Sequence, residues 1–200
     1  MNILNNSSLQ LWVARHGETE WAKLLKHTGR TDIPLTNLGE RQARGLKPLL
    51  AKQRFDRVWC SPLSRAKETA LLAGFAAENG VEYVDDLMEW DYGVFEGKTR
   101  VELRQSLGEF DIWTTPVTGG ESLAEVAARA ERVLSRLEAA GGRCLLFSHG
   151  HFLRILTARW LGLPPDGGRL FYLDPAGLSV LGHEHEQRVV QSWNLGGLAE

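Results

Sequence analysis

Two apolar runs in this chain end in the same pair of residues. Leu11-Trp12-Val13-Ala14 leads into Arg15-His16-Gly17, and Cys144-Leu145-Leu146-Phe147 leads into Ser148-His149-Gly150. Short, near-continuous apolar runs read as strands buried on both faces, the kind that make parallel sheets. Open α/β sheets hold their ligands outside the carboxyl ends of such strands. A glycine there lets the backbone turn sharply and come close to a bound group. One such ending alone is equally a buried strand followed by a polar turn, because short motifs match by chance. Two in one chain point to a shared sheet edge that carries two imidazoles.

The segments between them follow a strand–helix alternation. Met1 to Ser8 is polar and expected to fray. After a strand at about Gln10 to Arg15, residues 17–35 lack periodicity and read as a long ordered loop. Leu35 to Glu40 opens a helix whose apolar stripe is Leu38, Ala43, Leu46, Leu49 and Leu50. Asp56 to Cys60 is a second strand. Ser61-Pro62 then reads as a Ser N-cap with Pro in the first helical position, and the helix carries Arg65, Ala66, Thr69, Leu72 and Ala73. Val81 to Val84 is a third strand, and Leu87 to Gly97 is loop. Thr99-x-x-Glu102 and Ser122-x-x-Glu125 are capping boxes, each starting a helix. The second of these runs from Leu123 to about Ala139 and stops at Gly141-Gly142. Arg143 to Ser148 is the fourth strand, His151 to Leu161 a helix, and Leu178–Gly182 with Arg188–Trp193 a closing hairpin around Glu184-His185-Glu186. The predicted fold is α/β, a mainly parallel central sheet with helices on both faces, in a single domain spanning residues 1–200.

Charge narrows the partners. Lys and Arg number 23 against 25 Asp and Glu, a net charge of −2, so no basic surface fit for nucleic acid is expected and anion recognition must be local. No apolar run nears the roughly 20 residues needed to span a bilayer, and the first residues lack the pattern of a secretory signal. Cys60 and Cys144 lie in apolar runs and read as two buried free thiols, which suits a reducing cytoplasm. His183 and His185 alternate on one strand face. With no third ligand at suitable spacing they read as solvated edge-strand residues, and no metal or other cofactor is expected. His27 has no assignment, and the sequence leaves the oligomeric state open.

The polar groups just past the strand ends form one set: Arg15 and His16, then Arg65, Glu89 and His149. Guanidinium forks match phosphate oxygens bidentately, and a helix N-terminus beside Arg65 favours anions. An imidazole between two arginines stays neutral more readily and is then a competent nucleophile toward phosphorus. A carboxylic acid nearby can protonate a departing oxygen and, as carboxylate, activate water. The set fits a metal-free, two-step phosphoryl transfer through phosphohistidine.

On these motifs the chain resembles the histidine phosphatase superfamily, which includes the cofactor-dependent phosphoglycerate mutases. Arg15 to Thr19 matches its Arg-His-Gly-Glu-Thr/Ser motif, and Ser61 to Ala70 its Ser-Pro-x-x-Arg-Ala-x-x-Thr-Ala. Glu89 to Gly97 matches Glu-x-x-x-Gly-x-x-Glu-Gly, Gly119 to Ser122 matches Gly-Gly-Glu-Ser, and Ser148 to Gly150 matches Ser-His-Gly. The matches run in order over about residues 11–161. The resemblance implies a phosphoglycerate mutase-like fold and a phosphorylated His16. It makes Arg15, Arg65 and His149 the holders of the phosphoryl group and Glu89 the proton donor. Three stretches look closest to sugar-phosphate phosphatases of the sedoheptulose-bisphosphatase type: Thr28-Gly29-x-Thr31-Asp32-x-Pro34-Leu35-Thr36, Glu89 to Gly93, and His149-Gly150-His151-x-x-Arg154. Ala22 and His151 stand where many mutases carry Asn, a departure from their pattern.

Thr28, Gly29, Tyr92, Gly150, His151 and Arg154 are the candidate substrate-binding residues. His151 and Arg154 share a helix face, as a surface pair or as a contact to the far end of a substrate. Tyr92 either reaches the site or packs. Glu18 reads as a partner of a neighbouring arginine, and Trp21 and Trp90 as tryptophans lining the cleft. About twenty residues separate Gly97 from Gly119, with no Arg-Arg or Lys-rich clamp. An open site favours hydrolysis over a mutase's return of the phosphoryl group. The expected activity is phosphomonoester hydrolysis of a small phosphorylated metabolite such as a sugar phosphate or bisphosphate. The alternatives are a mutase-like phosphotransferase and a non-catalytic phospho-ligand binding module.

Overall fold

Leu145, Leu146 and Phe147 are wholly shielded from solvent, because the strand that carries them lies inside a sheet covered on both faces. A computed structural model of the chain describes residues 9–196; the expectation for Met1 to Ser8 lies outside the described residues. The strands are β1 (Gln10–Arg15), β2 (Arg57–Cys60), β3 (Val81–Tyr83), β4 (Arg143–Ser148), β5 (Leu178–Glu184) and β6 (Gln187–Leu195). They form one six-stranded sheet in the order β3-β2-β4-β1-β5-β6. The first four are parallel to one another; β5 runs antiparallel to β1, and β6 antiparallel to β5.

Side chains along a strand alternate between faces, and β4 shows where they go. Cys144 and Leu146 join a core built with α5 (Leu123–Ala140) and α6 (Gly150–Trp160), including Val126, Ala130, Val133, Phe152 and Ile155. Leu145 and Phe147 join another with α2 (Asn37–Leu50) and α3 (Ser64–Leu72), including Leu46, Leu50, Ala66 and Ala70. Both capping boxes are present, starting α4 (Arg100–Leu107) and α5. The α/β sheet with helices on both faces is as predicted.

Several local expectations change. The 17–35 loop holds a single helical turn, α1 (Glu20–Lys23), capped by Thr19. Leu49 leaves the predicted stripe of α2 and is 41% exposed; Gly39 and Gln42 are buried instead. Gly39 lies against the backbone of the first motif: a Cβ on Gly17 would stand 2.3 Å from the Gly39 carbonyl oxygen, so the close approach at Gly17 is to the chain itself. α3 starts at Ser64, not Pro62, and Asp32 accepts the Ser64 amide at 2.9 Å in place of a local cap. Ser61 is therefore no N-cap. Glu18 takes the Thr36 hydroxyl at 2.8 Å rather than an arginine. His185 sits in the hairpin turn with φ 53°, so it shares no strand face with His183, which stacks on Trp160 at 5.1 Å.

Candidate active site

Strand register assembles the centre. Arg15 of β1 is the partner of Ser148 of β4, so His16 and His149 leave adjacent strands side by side. The His16 amide donates to the Ser148 carbonyl at 3.0 Å, and the two rings lie 5.2 Å apart. On the other side of β4, Cys60 pairs with Phe147, and Ser61 comes within 2.7 Å of His149 Nε2.

His16 Nδ1 is 2.7 Å from the Gly17 carbonyl oxygen. A carbonyl only accepts, so Nδ1 carries the proton and Nε2 keeps its lone pair. Burial, then the Arg65 and Arg15 cations, push this imidazole well below its ordinary range, against the Gly17 carbonyl. Burial and Arg65 do the same to His149. Both rings are neutral near pH 7.

The arginines are anchored by carbonyls. Arg65, with no exposed surface, donates to Thr31 at 3.1 Å and Gly29 at 2.7 Å. Arg15 donates to Leu173 at 2.6 Å. Each still has a buried Nε–H without a protein partner, and His149 Nδ1 is buried without one too. Unpaired buried polar atoms are costly, and the two guanidinium N–H groups on residues around His16 fit an oxyanion.

Backbone amides position Glu89. Its carboxylate takes the amides of Trp90 (2.9 Å), His151 (3.1 Å) and Phe152 (2.9 Å), the latter two at the start of α6. From α5, Arg129 grips the same loop through the carbonyls of Asp86 (2.7 Å), Met88 (2.9 Å) and Glu89 (3.3 Å), and pairs with Glu121 at 2.6 Å. Burial opposes the charge on Glu121, but the Arg129 hydrogen bonds and the Asp91 amide outweigh it and hold the carboxyl below its usual range. Glu121 lies in the recognised Gly-Gly-Glu-Ser stretch; Arg129, two helical turns on, had no signal of its own.

A cavity of about 210 Å3 opens onto this centre, with Arg15, His16, Thr28, Glu89, Tyr92, Gly150, His151 and Arg154 in its wall. Arg65, His149 and Gly29 are absent from the wall and stand behind it; a Cβ on Gly29 would meet Glu96 at 2.4 Å and the Trp90 carbonyl at 2.5 Å, so the contribution of Gly29 is the carbonyl offered to Arg65. Tyr92 both packs and reaches the site, its hydroxyl 2.5 Å from His151 Nδ1. Arg154 donates to Gly168 (3.0 Å) and Arg169 (3.2 Å) and stacks on Trp113 at 4.9 Å. Trp90 lies behind the wall against Tyr92 and His151, and Trp21 is also outside the lining, so neither tryptophan lines the cleft. Lys26, His27 and Tyr172 line the cavity without having been picked out by motif. His27 presents Nδ1 to the Lys98 carbonyl at 2.9 Å. Among the described residues, no three His, Cys, Asp or Glu side chains are grouped to hold a metal, and no helix is long and apolar enough to cross a membrane.

Known proteins resemble this chain in sequence and fold. The family model described as histidine phosphatase superfamily (branch 1) matches residues 11–196. An acid phosphatase of Mycobacterium tuberculosis is 39% identical over 98% of this chain and 96% of its own length. Sedoheptulose 1,7-bisphosphatase of Saccharomyces cerevisiae is 34% identical over 76% of this chain and 67% of its own. The solved structure of an open-reading-frame product of Mycobacterium tuberculosis superposes with a TM-score of 0.88 at 38% identity, covering 94% of this chain and 98% of that one.

Proposed function

The chain belongs to the histidine phosphatase superfamily, and on that premise we propose that it hydrolyses small phosphomonoesters through a phosphohistidine at His16. The observation that carries this is the pair of buried, unpartnered Nε–H donors of Arg15 and Arg65, with the unpartnered Nδ1 of His149, near a neutral imidazole whose Nε2 keeps its lone pair.

In the first step these three groups bind phosphoryl oxygens and His16 Nε2 attacks phosphorus. The N–P bond forms as the bond to the leaving oxygen breaks, and Glu89, protonated, gives its proton to that oxygen. In the second step Glu89 as carboxylate takes a proton from water, whose oxygen attacks phosphorus. The N–P bond breaks, inorganic phosphate leaves, and His16 and Glu89 return to their starting states. Donors fixed before the reaction stabilise the charge of the transferring group without reorganising.

The substrate we propose is a small phosphorylated metabolite, a sugar phosphate or bisphosphate. In support, the cavity is small and its wall beyond the phosphoryl site carries Thr28, His151 and Arg154, groups suited to hydroxyls or a second anion. A relative named for a sugar bisphosphate agrees with this. No residue from 98–120 lines the cavity, which supports water as acceptor over a returning phosphoryl group. The free, buried Cys60 and Cys144 support a cytoplasmic setting.

A panel of sugar phosphates, phosphoglycerates and an aryl phosphate, assayed for released phosphate, tests the reading. Turnover of a sugar phosphate above the aryl phosphate is expected. Isomerised phosphoglycerate without release would support the mutase alternative, and binding without turnover a non-catalytic module.

A further inference from the structure

We propose that Ser61 fixes the tautomer of His149 and so decides which ring nitrogen this imidazole offers to the phosphoryl group. The inference rests on the phosphatase reading above, but its test is made on the free enzyme. Ser61 follows β2 and is fully shielded from solvent. Its amide donates to the Phe147 carbonyl at 2.9 Å, which draws it against the end of β4. Its Oγ accepts the Leu63 amide at 3.3 Å and lies 2.7 Å from His149 Nε2.

A buried hydroxyl needs an acceptor for its own proton. Among the described residues, His149 Nε2 is the acceptor that Ser61 Oγ reaches. The proton therefore points from Oγ to Nε2, which leaves Nε2 bare and places the ring proton on Nδ1. Nδ1 is the atom that is buried without a protein partner. The opposite tautomer fails on two counts. An Nε2–H donated to Oγ would leave the serine proton buried without an acceptor. It would also meet a phosphoryl oxygen with a lone pair on Nδ1, where a donor is needed. A doubly protonated ring fails the first count as well, and burial and the Arg65 cation oppose its charge.

The two histidines then hold the same tautomer with opposite edges in use. His16 has Nδ1–H tied to the Gly17 carbonyl and offers a lone pair at Nε2; His149 has Nε2 tied to Ser61 and offers N–H at Nδ1. Ser61 is a positioning residue, since it acts through His149.

The test is a long-range proton–nitrogen correlation spectrum of the full chain labelled with 15N-histidine, with the His149 signals identified by their loss in His149→Asn. The wild type is expected to show Nδ1 protonated and Nε2 bare at His149. In Ser61→Ala the His149 pattern should become mixed or inverted, and inhibition by inorganic phosphate should weaken about tenfold, as for one lost charge-assisted hydrogen bond. A wild-type His149 protonated on Nε2 overturns the proposal, whether or not the variant folds. So does a folded Ser61→Ala variant with the wild-type pattern. A wild type that shows the expected tautomer but turns over no phosphomonoester counts against the phosphatase reading and leaves the tautomer assignment standing.

Discussion

His16 and His149 face each other at 5.2 Å with their rings tilted by 60°, because the residues before them, Arg15 and Ser148, are partners across two parallel strands. A one-residue slip of that register would turn one imidazole to the far face of the sheet.

The proposed mechanism gives the two rings different duties, and substitution separates them. His16→Gln should abolish turnover and remove an acid-labile phosphoryl label that the wild type carries after rapid quench from a labelled substrate. His149→Gln should still take up label, but about a hundredfold more slowly, as when a transition-state donor is removed. Label on a serine or aspartate of the wild type would refute the assignment of His16.

Arg129 offers a second test, through the grip on the Glu89 loop. Lys cannot reproduce a planar fork that serves Glu121 and three carbonyls together. Arg129→Lys should lower kcat for alkyl phosphates, whose leaving oxygen needs a proton, by about tenfold, a fraction of the roughly 10²–10⁴ of general acid catalysis. An aryl phosphate with an acidic phenol should lose much less. Equal losses on both substrates would assign Arg129 to the fold alone.

Dialysis against a strong chelator should leave the rate with the preferred substrate unchanged. In the proposed mechanism Arg15, Arg65 and His149 meet the charge that a metal would otherwise neutralise. Activity lost on dialysis and restored by magnesium or zinc would overturn the metal-free mechanism.

How much was legible in the sequence depended on where the causal information lies. β1, β4, both capping boxes and the centre of Arg15, His16, Arg65, Glu89 and His149 are local patterns, and each sits close to where its pattern put it. Ser61 was misread because an N-cap and a histidine partner look alike in one dimension; only the alignment of Cys60 with Phe147 shows which one it serves. Glu18 was misread for the same reason, since its partner Thr36 is delivered by chain packing. Gly29 matched a motif, but its contribution is a backbone carbonyl, which no side-chain pattern announces. Tyr172 lies in an irregular segment with no periodicity to single it out.

Acid should destabilise this fold through the buried imidazoles of His16 and His149 and the half-buried one of His151. His16, His149 and His151 are each held well below the ordinary range, first by burial and then by neighbouring cations. The unfolded chain therefore binds more protons than the native one below about pH 6.5, so stability falls as pH drops. Each such group contributes a slope of about 1.4 kcal/mol per pH unit there. Urea midpoints should be flat between pH 7 and 8 and fall steeply from pH 6.5 to 5. His151→Gln should reduce the slope; an unchanged slope would mean that His151 is not held neutral in the native state.

We propose that Arg154, in the cavity wall, reads the substrate beyond its phosphoryl group. Its Nε and Nη2 are spent on the carbonyls of Gly168 and Arg169, and its guanidinium lies on Trp113, so the charge is held in the cavity wall. Nη1 is left for a second anion or a hydroxyl of the substrate. A contact of that kind exists equally in ground and transition states, so Arg154→Ala should raise KM for a sugar bisphosphate with little change in kcat. A charged hydrogen bond of about 1.5–3 kcal/mol corresponds to a rise of roughly 10- to 150-fold. The substitution also frees two carbonyls of the 165–170 turn, so some loss in Tm is expected. That loss should not differ between substrates. An aryl phosphate has nothing to offer Nη1 and should keep its KM. If its kcat/KM falls as far as that of the bisphosphate, Arg154 holds the wall or the phosphoryl group, and selectivity lies elsewhere along the cavity.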